Sequence, residues 1–433
     1  MGFPHPFFFS ENILKRGKCM KKLVVLIFFI LSLSYLGGCA TAVREPSLRT
    51  DSVVLTDISK GLPREGIWRQ NLALIDMNGD GFLDIVSPPA RKPKEGESEP
   101  SIFLRDAKAG EWMKGPYHFP ETKSYNYGGV AAGDINRDGY PDIVLAAHAG
   151  KITILLNDKS GGFIESPFSL KEEFHSRAVV LSDINGDGWS DIIALSDGPF
   201  PQDYKPAGLL VAISGEAKDW DVKMFGTGID LFGDSLAAGD IRGSGSKDIA
   251  ITAMTNKKEA QKLVWFGDGK GNFRNFEGDF IGDFLPFVVR VGDVKGDGKE
   301  EVVYDLSAFG RGAKSKISVF EWTGEGFGEI SAGLESGESS IVFDLVDIDG
   351  DGKKELVILR EGGLSLYRYV GSRWNEIGLY PIPSTETKGA ADLRAGTNRD
   401  GSVTVVYNLG AEEPTLGKGM RAYVIKNPKN AHE

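Results

Sequence analysis

Histidine and cysteine are both scarce in this chain of 433 residues, with five of the first and two of the second. Past residue 38 only His118, His148, His175 and His432 remain. There is no Gly-x-Ser-x-Gly elbow, no His-Glu-x-x-His pair and no nucleotide-binding loop, so the sequence singles out no nucleophile, zinc centre or phosphate cradle. Two cysteines, Cys19 and Cys39, cannot build a disulfide framework. Basic residues are outnumbered, 50 Lys and Arg against 61 Asp and Glu. A net charge of −11 argues against nucleic acid and against charge-driven adhesion to anionic lipid. Long apolar runs are missing as well, because the stretch Leu23 to Leu33 is too short to cross a bilayer comfortably.

What the chain has instead is a nine-residue acidic loop, repeated. The first copy is Asp76-Met-Asn78-Gly-Asp80-Gly81-Phe-Leu-Asp84, set between the apolar runs Leu72 to Ile75 and Ile85-Val86. The second has Asp134, Asn136, Asp138 and Asp142 at positions one, three, five and nine, and the third has Asp183, Asn185, Asp187 and Asp191. The fourth has Asp240, Arg242, Ser244 and Asp248, the fifth Asp293, Lys295, Asp297 and Glu301, the sixth Asp347, Asp349, Asp351 and Glu355, and the seventh Gly396, Asn398, Asp400 and Thr404. Successive copies start 49 to 58 residues apart, which marks an array of seven units.

Oxygen side chains at positions one, three, five and nine, with a carbonyl from position seven, can converge on one hard cation, and Gly at position six permits the turn. Calcium is the natural occupant. An Asp/Asn/Gly turn is also an ordinary way to join two strands, but recurrence at this interval favours the metal reading for the first, second, third and sixth loops. The fourth and seventh loops have lost ligands, and calcium is excluded from both. Lys295 leaves the fifth site, Asp293/Asp297/Glu301, open. Arg242 and Lys295 read equally well as built-in cations paired with the carboxylates around them. The expectation is about four calcium ions.

Each unit reads as four short strands. An apolar strand such as Val130 to Gly133 enters the loop and another, Ile143 to Ala146, leaves it; Ile152 to Leu156 is the third, and an aromatic opens the fourth. That aromatic recurs as Trp112, Phe163, Trp220, Phe273, Phe327 and Trp374. Six aromatics accompany seven loops: the last unit stops after Arg421 to Ile425 without a fourth strand, while Ser52 to Thr56 precedes the first loop with no unit of its own. The expected fold is therefore all-β, a seven-bladed β-propeller of four-stranded blades closed by an N-terminal strand that completes the last blade. Arg290 and Asp344, three residues before their loops in neighbouring units, suggest an inter-blade ion pair.

The units resemble VCBS/FG-GAP repeats, the repeats of integrin-type propellers, most clearly over Gly128 to Val144, Phe232 to Asp240 and the turn Asn157 to Phe163. The resemblance covers residues 52–427 and implies calcium in the loops between the first two strands, with ligands mostly on the opposite face. Ahead of it, Met20-Lys21-Lys22 and the run to Leu33 have the layout of a secretory signal, and Leu36-Gly37-Gly38-Cys39 resembles the lipobox of bacterial lipoproteins. This divides the chain into a signal peptide (1–38, true start at Met20), a lipidated Cys39 with a tether to residue 51, the propeller (52–427) and a tail (428–433). Processing takes the net charge from −11 to −15. Ala40 lacks the Asp that in enteric bacteria resembles an inner-membrane retention signal, which places the protein at the outer membrane of the cell envelope.

The expected function is a monomeric, lipid-anchored, calcium-stabilised scaffold that binds a glycan or protein. The alternative is a polysaccharide-active, lyase-like enzyme on a calcium-binding propeller. The face opposite the acidic loops carries the connections of most variable length, such as Ser87 to Pro100 and Asp197 to Gly208, and with them aromatics and cations. Trp68, Tyr127, His175 and Tyr204 are the expected ligand contacts, although Tyr127 and Arg177 also suit packing or pairing between blades.

Overall fold

The computed structural model describes residues 53–426 apart from 69–70, 92–97, 122–124, 149, 168–169, 171–173, 199–207, 227–232, 253–262, 309–314, 335–341 and 411–416. The expectations for the signal, Cys39, the tether and Tyr204 lie outside the described residues.

Seven antiparallel four-stranded sheets follow one another along the chain. The first blade is Ala73–Ile75, Asp84–Ser87, Ser101–Asp106 and Glu111–Lys114. The inner strands of the later blades are Gly128–Gly133, Ser176–Ser182, Leu236–Gly239, Phe284–Gly292, Val342–Val346 and Ala390–Thr397. Each packs against the next, and the last packs against the first, so the array closes into a ring. Closure by the N-terminus is as expected: Val54–Asp57 pairs with Lys418–Lys426, Val54 opposite Lys426 and Asp57 opposite Tyr423, as the outermost strand of blade seven. Ser59 secures the joint, its hydroxyl accepting the Ala422 N–H at 3.0 Å.

Sandwiching between neighbours explains the composition of the second strands. Asp142–Ala147 and Asp191–Ser196 are buried at every position, since each has a blade on both sides, and they read as continuous apolar runs rather than alternating ones. In blade five Val302, Tyr304 and Leu306 pack with the residues of blade four, whereas Val303 packs with Phe343 and Leu356 of blade six. Each such Val, Leu or Ile contributes about 1.5–3 kcal/mol by leaving water. The outer strands are more open, as in Asp219–Phe225.

Candidate functional site

All seven loops join the first strand of a blade to the second, and the first six share one backbone scaffold. The position-one carboxylate takes the N–H of the position-six glycine: Asp76 from Gly81 at 2.8 Å, Asp134 from Gly139 at 2.8 Å, Asp183 from Gly188 at 2.8 Å and Asp347 from Gly352 at 2.9 Å. Gly81 has φ of 94° and Gly188 of 84°, a region where a side chain would be strained. The position-nine acid is fully buried and anchors the loop from below. One oxygen of Asp84 accepts the Met77 N–H at 2.9 Å and the other the Arg105 N–H of the third strand at 2.8 Å. Asp142 does the same with Ile135 and Asn157, and Asp191 with Ile184 and Ser214.

The loops differ in what neutralises them. Burial pushes the Asp84 carboxyl up to about 7, and Asp80 and Asp76 add to the rise. Asp142 and Asp191 are each pushed up to about 6 by burial, with Asp138 raising the first and Asp187 and Asp183 the second. In these three loops the carboxylates repel one another and, among the described residues, no cation bridges them; Lys159 at 3.3 Å from Asp138 and Arg399 at 3.5 Å from Asp76 touch the rim, and the buried Arg105, over the Phe82 ring and bonded to Thr404, feels the charge of Asp80 and Asp84 without an ion pair to either. Such a donor set, two or three carboxylates with an Asn amide oxygen, suits a calcium ion held by Asp76, Asn78, Asp80 and Asp84 and by their counterparts.

In the later loops the protein supplies the cation. Arg242 lies 2.8 Å from Asp248 and also donates to the Gly267 carbonyl, its guanidinium over the Phe266 ring. Lys295 is 2.7 Å from Glu321, 3.0 Å from Asp297 and 3.6 Å from Glu301. Burial still raises Asp248, and raises Glu301 to about 7, but Arg242 and Lys295 pull against it. Among the described residues one group of acids has its oxygens within 4.8 Å of one another, Asp347, Asp349 and Glu355 of the sixth loop. That loop also holds Arg368, 2.7 Å from both Asp349 and Glu355. The seventh loop has become neutral: Asn398 accepts the Leu83 N–H of blade one at 3.0 Å and bonds Thr404, which also takes a bond from Arg105.

Arg290 and Asp344 pair as expected, at 3.0 Å, and the cluster is larger than a pair. Arg290 reaches past blade six to Asp392 of blade seven at 2.8 Å; Asp392 also takes bonds from Arg394 and from the Leu72 N–H of blade one. Two arginines and two aspartates thus tie blades five, six, seven and one together at the inner strands.

On the opposite face the structure revises the expected contacts. Trp68 is not an exposed platform: it is 8% exposed, edge-on to Phe103 at 6.2 Å, with its indole N–H donated to the Glu65 carbonyl. Tyr127 is covered on its ring by His148 at 4.7 Å and approached by Arg91 at 5.2 Å, so it packs between blades. His175 is half-buried and its carbonyl accepts the Asp197 N–H. The three are nevertheless joined in one line. Ile67, beside Trp68, accepts the Arg91 N–H; Arg91 meets Tyr127, Tyr127 stacks on His148, and His148 bonds Asp197. Arg177 continues the line from Asp197 to Asp234 of blade four, 2.8 Å away. The Oδ1 of Asp197 is buried and has no hydrogen-bond partner among the described residues. At the blade-one end a cavity of about 310 Å³ is lined by Pro63, Arg64, Gly66, Trp68, Phe103 and Lys114. Arg91, His148 and Asp197 were not anticipated, and the sequence offers only their position just outside second strands as a signal.

Residues 76–145 and 134–194 match the family described as FG-GAP-like repeat. The chain is 29% identical over 153 residues to integrin alpha-4 of Xenopus laevis, covering 30% of this chain and 14% of that one. It is 33% identical over 98 residues to integrin alpha-6 of Homo sapiens, covering 21% and 9%. It thus spans a small part of the integrins it matches. Similar solved structures include an Agrocybe aegerita lectin that recognises non-reducing terminal N-acetylglucosamine, 15% identical with TM-score 0.47 over 72% of this chain and 81% of the lectin. The V. cholerae biofilm matrix protein Bap1 is 11% identical with TM-score 0.41, over 87% and 92% of the two chains. Among the described residues no helix is long and apolar enough to cross a membrane.

Proposed function

The chain is an integrin-like β-propeller of FG-GAP-like repeats, and from that premise we propose that it is a calcium-stabilised binding scaffold of the bacterial cell envelope, held to the outer membrane by a lipid on Cys39. Calcium would be held by the first three loops, where among the described residues no Lys or Arg bridges the loop's acids. The observation that carries the binding role is the polar line on the opposite face, which runs across four blades and ends at a cavity of about 310 Å³. Within it the buried Asp197 carboxylate, whose Oδ1 has no partner among the described residues, holds His148 and Arg177 in place, and the exposed Lys114 and Arg64 at the cavity rim are the groups that a glycan or protein can reach.

The test is retention of the purified protein, with calcium, on an array of bacterial glycans and peptides. The double variant Asp197→Asn, Lys114→Ala is compared with it after circular dichroism confirms the fold. Loss of retention in the variant supports this face as the binding surface. Undiminished retention places the ligand elsewhere, and release of unsaturated, ultraviolet-absorbing product from a polysaccharide supports the lyase alternative. For the anchor, Cys39→Ser should move the protein from detergent-extracted to soluble fractions, and unchanged partition refutes it.

A further inference from the structure

We propose that Arg368 stands permanently in the place of a metal ion in the sixth loop, so that calcium is confined to the contiguous arc of blades one to three. The proposal rests on the calcium reading of those three loops.

By spacing alone the sixth loop has a full ligand set, Asp347, Asp349, Asp351 and Glu355, and the oxygens of three of them already lie within 4.8 Å of one another. Acids that close need a positive charge. Arg368 brings one from outside the loop, from the third strand Gly363–Val370. Its Nε donates to Glu355 Oε1 at 2.7 Å and its Nη2 lies 2.7 Å from Asp349 Oδ2. A guanidinium is planar and always charged, and its fork can bridge two carboxylates while supplying the positive charge that a bridging water lacks. A calcium ion needs six to eight oxygens at about 2.3–2.6 Å. Here two of the four side chains are committed to a cation, and a divalent ion entering beside it would meet like charge.

The ninth residue explains how the arginine gains its place. Where that residue is Asp, both oxygens are held by backbone N–H groups, one from the loop and one from the third strand. Glu355 is one methylene longer. It keeps the first bond, from the Ile348 N–H at 2.8 Å, and turns its other oxygen to Arg368. Glu301 does likewise, bonding the Val294 N–H at 3.0 Å and facing Lys295. The three internal cations, Arg242, Lys295 and Arg368, are each 25% exposed at the side chain, whereas Lys159 and Arg399 at the rims of the second and first loops are 48% and 70% exposed. The first group is enclosed by its acids and the second is solvated.

Bound calcium is counted by equilibrium dialysis on the purified full chain. Asp347→Asn should leave the count of the wild type unchanged, while Asp183→Asn should lower it by about one equivalent. Arg368→Met, and Arg368→Gln if Met does not fold, should gain about one equivalent, and adding Asp347→Asn to either should remove the gain. A lost equivalent in Asp347→Asn alone, or no gain in a folded Arg368 variant, overturns the proposal. Should neither Arg368 variant fold, the Asp347→Asn count decides by itself. A wild type that binds no calcium defeats the reading of the first three loops, and the Arg368 variants then still report on the sixth.

Discussion

Blades one to three and blades four to six carry the same turn and solve its electrostatics in opposite ways. In the first arc, Asp84, Asp142 and Asp191 are raised by burial and by other carboxylates of their own loops. In the second, Asp248, Glu301 and Glu355 are also raised by burial, but a neighbouring Arg or Lys pulls each of them down. A covalently attached cation contributes at any calcium concentration, whereas a bound ion couples stability to its free concentration. One ring can therefore hold a responsive arc and an indifferent one. Arg290 of blade five and Asp344 of blade six also form a cluster with Asp392 and Arg394 of blade seven, which joins these inner strands to one another and to blade one.

The strongest way to break the comparison is to remove the fixed charge at the centre of that cluster. Arg290 is 7% exposed at the side chain, and Arg290→Ala leaves Asp344 with the Ala395 N–H and the nearby charge of Arg394, whose bond goes to Asp392. Removing one partner of this buried cluster should cost about 3–5 kcal/mol, read by urea denaturation at saturating calcium. A loss under about 1 kcal/mol would show that the inner strands hold without it.

Loss of a single calcium site should act next most strongly, and on the other arc. At free calcium about a hundredfold above Kd each site contributes about 2.7 kcal/mol, which a chelator removes. Hydrogen exchange should then lose protection in Gly128–Gly133 and Ser176–Ser182 while Val342–Val346 keeps it. Equal loss around the ring would erase the distinction between the arcs.

Asp305 is an exception inside the self-neutralised arc. It is 4% exposed, its Oδ1 has no hydrogen-bond partner among the described residues, and burial pushes its carboxyl up to about 8. A folded value above the unfolded value of about 4 means that the protonated form is favoured by folding. Its contribution is thus fully present below about pH 4 and is lost as the pH rises through about 8. Between pH 6 and pH 8 the wild type should lose about 2 kcal/mol more stability than Asp305→Asn, measured by denaturation at both pH values. Parallel profiles would mean that Asp305 finds a partner in solution.

The architecture could be read in advance because its signals are local. A second strand buried on both sides is a continuous apolar run, a metal-type loop needs Asp and Gly at fixed offsets, and six fourth-strand aromatics beside seven loops required the N-terminus to supply the missing strand. Arg242 and Lys295 were legible because they sit within the loops they neutralise. Arg368 was not, since it enters from another strand, 13 residues beyond Glu355, and only cross-strand pairing brings the two together. Trp68 and Tyr127 stand in connections, where exposure is the natural expectation, yet Phe103 covers one and His148 the other. Each cover comes from another strand of the same unit, Phe103 on the third strand of blade one and His148 just past the second strand of blade two, so only the folded blade brings it over the ring.

The smallest expected effect sharpens the comparison most. Lys159 and Arg399 touch loops two and one, 3.3 Å from Asp138 and 3.5 Å from Asp76, so distance alone would rank them with the internal cations. Each is paired with one oxygen at the rim and is solvated, and such exposed pairs are worth about 0–1 kcal/mol. Lys159→Ala and Arg399→Ala should therefore leave unchanged the number of bound calcium ions and the melting temperature measured in chelator. Removing a positive charge beside the site should tighten its calcium binding by about two- to fivefold in low salt, an effect that fades near 1 M salt as the Debye length falls to about 3 Å. Titration calorimetry at the two salt concentrations reads both. If either substitution instead adds a site, as Arg368→Met should, then enclosure does not decide which cation replaces a metal, and proximity to a single carboxylate is enough.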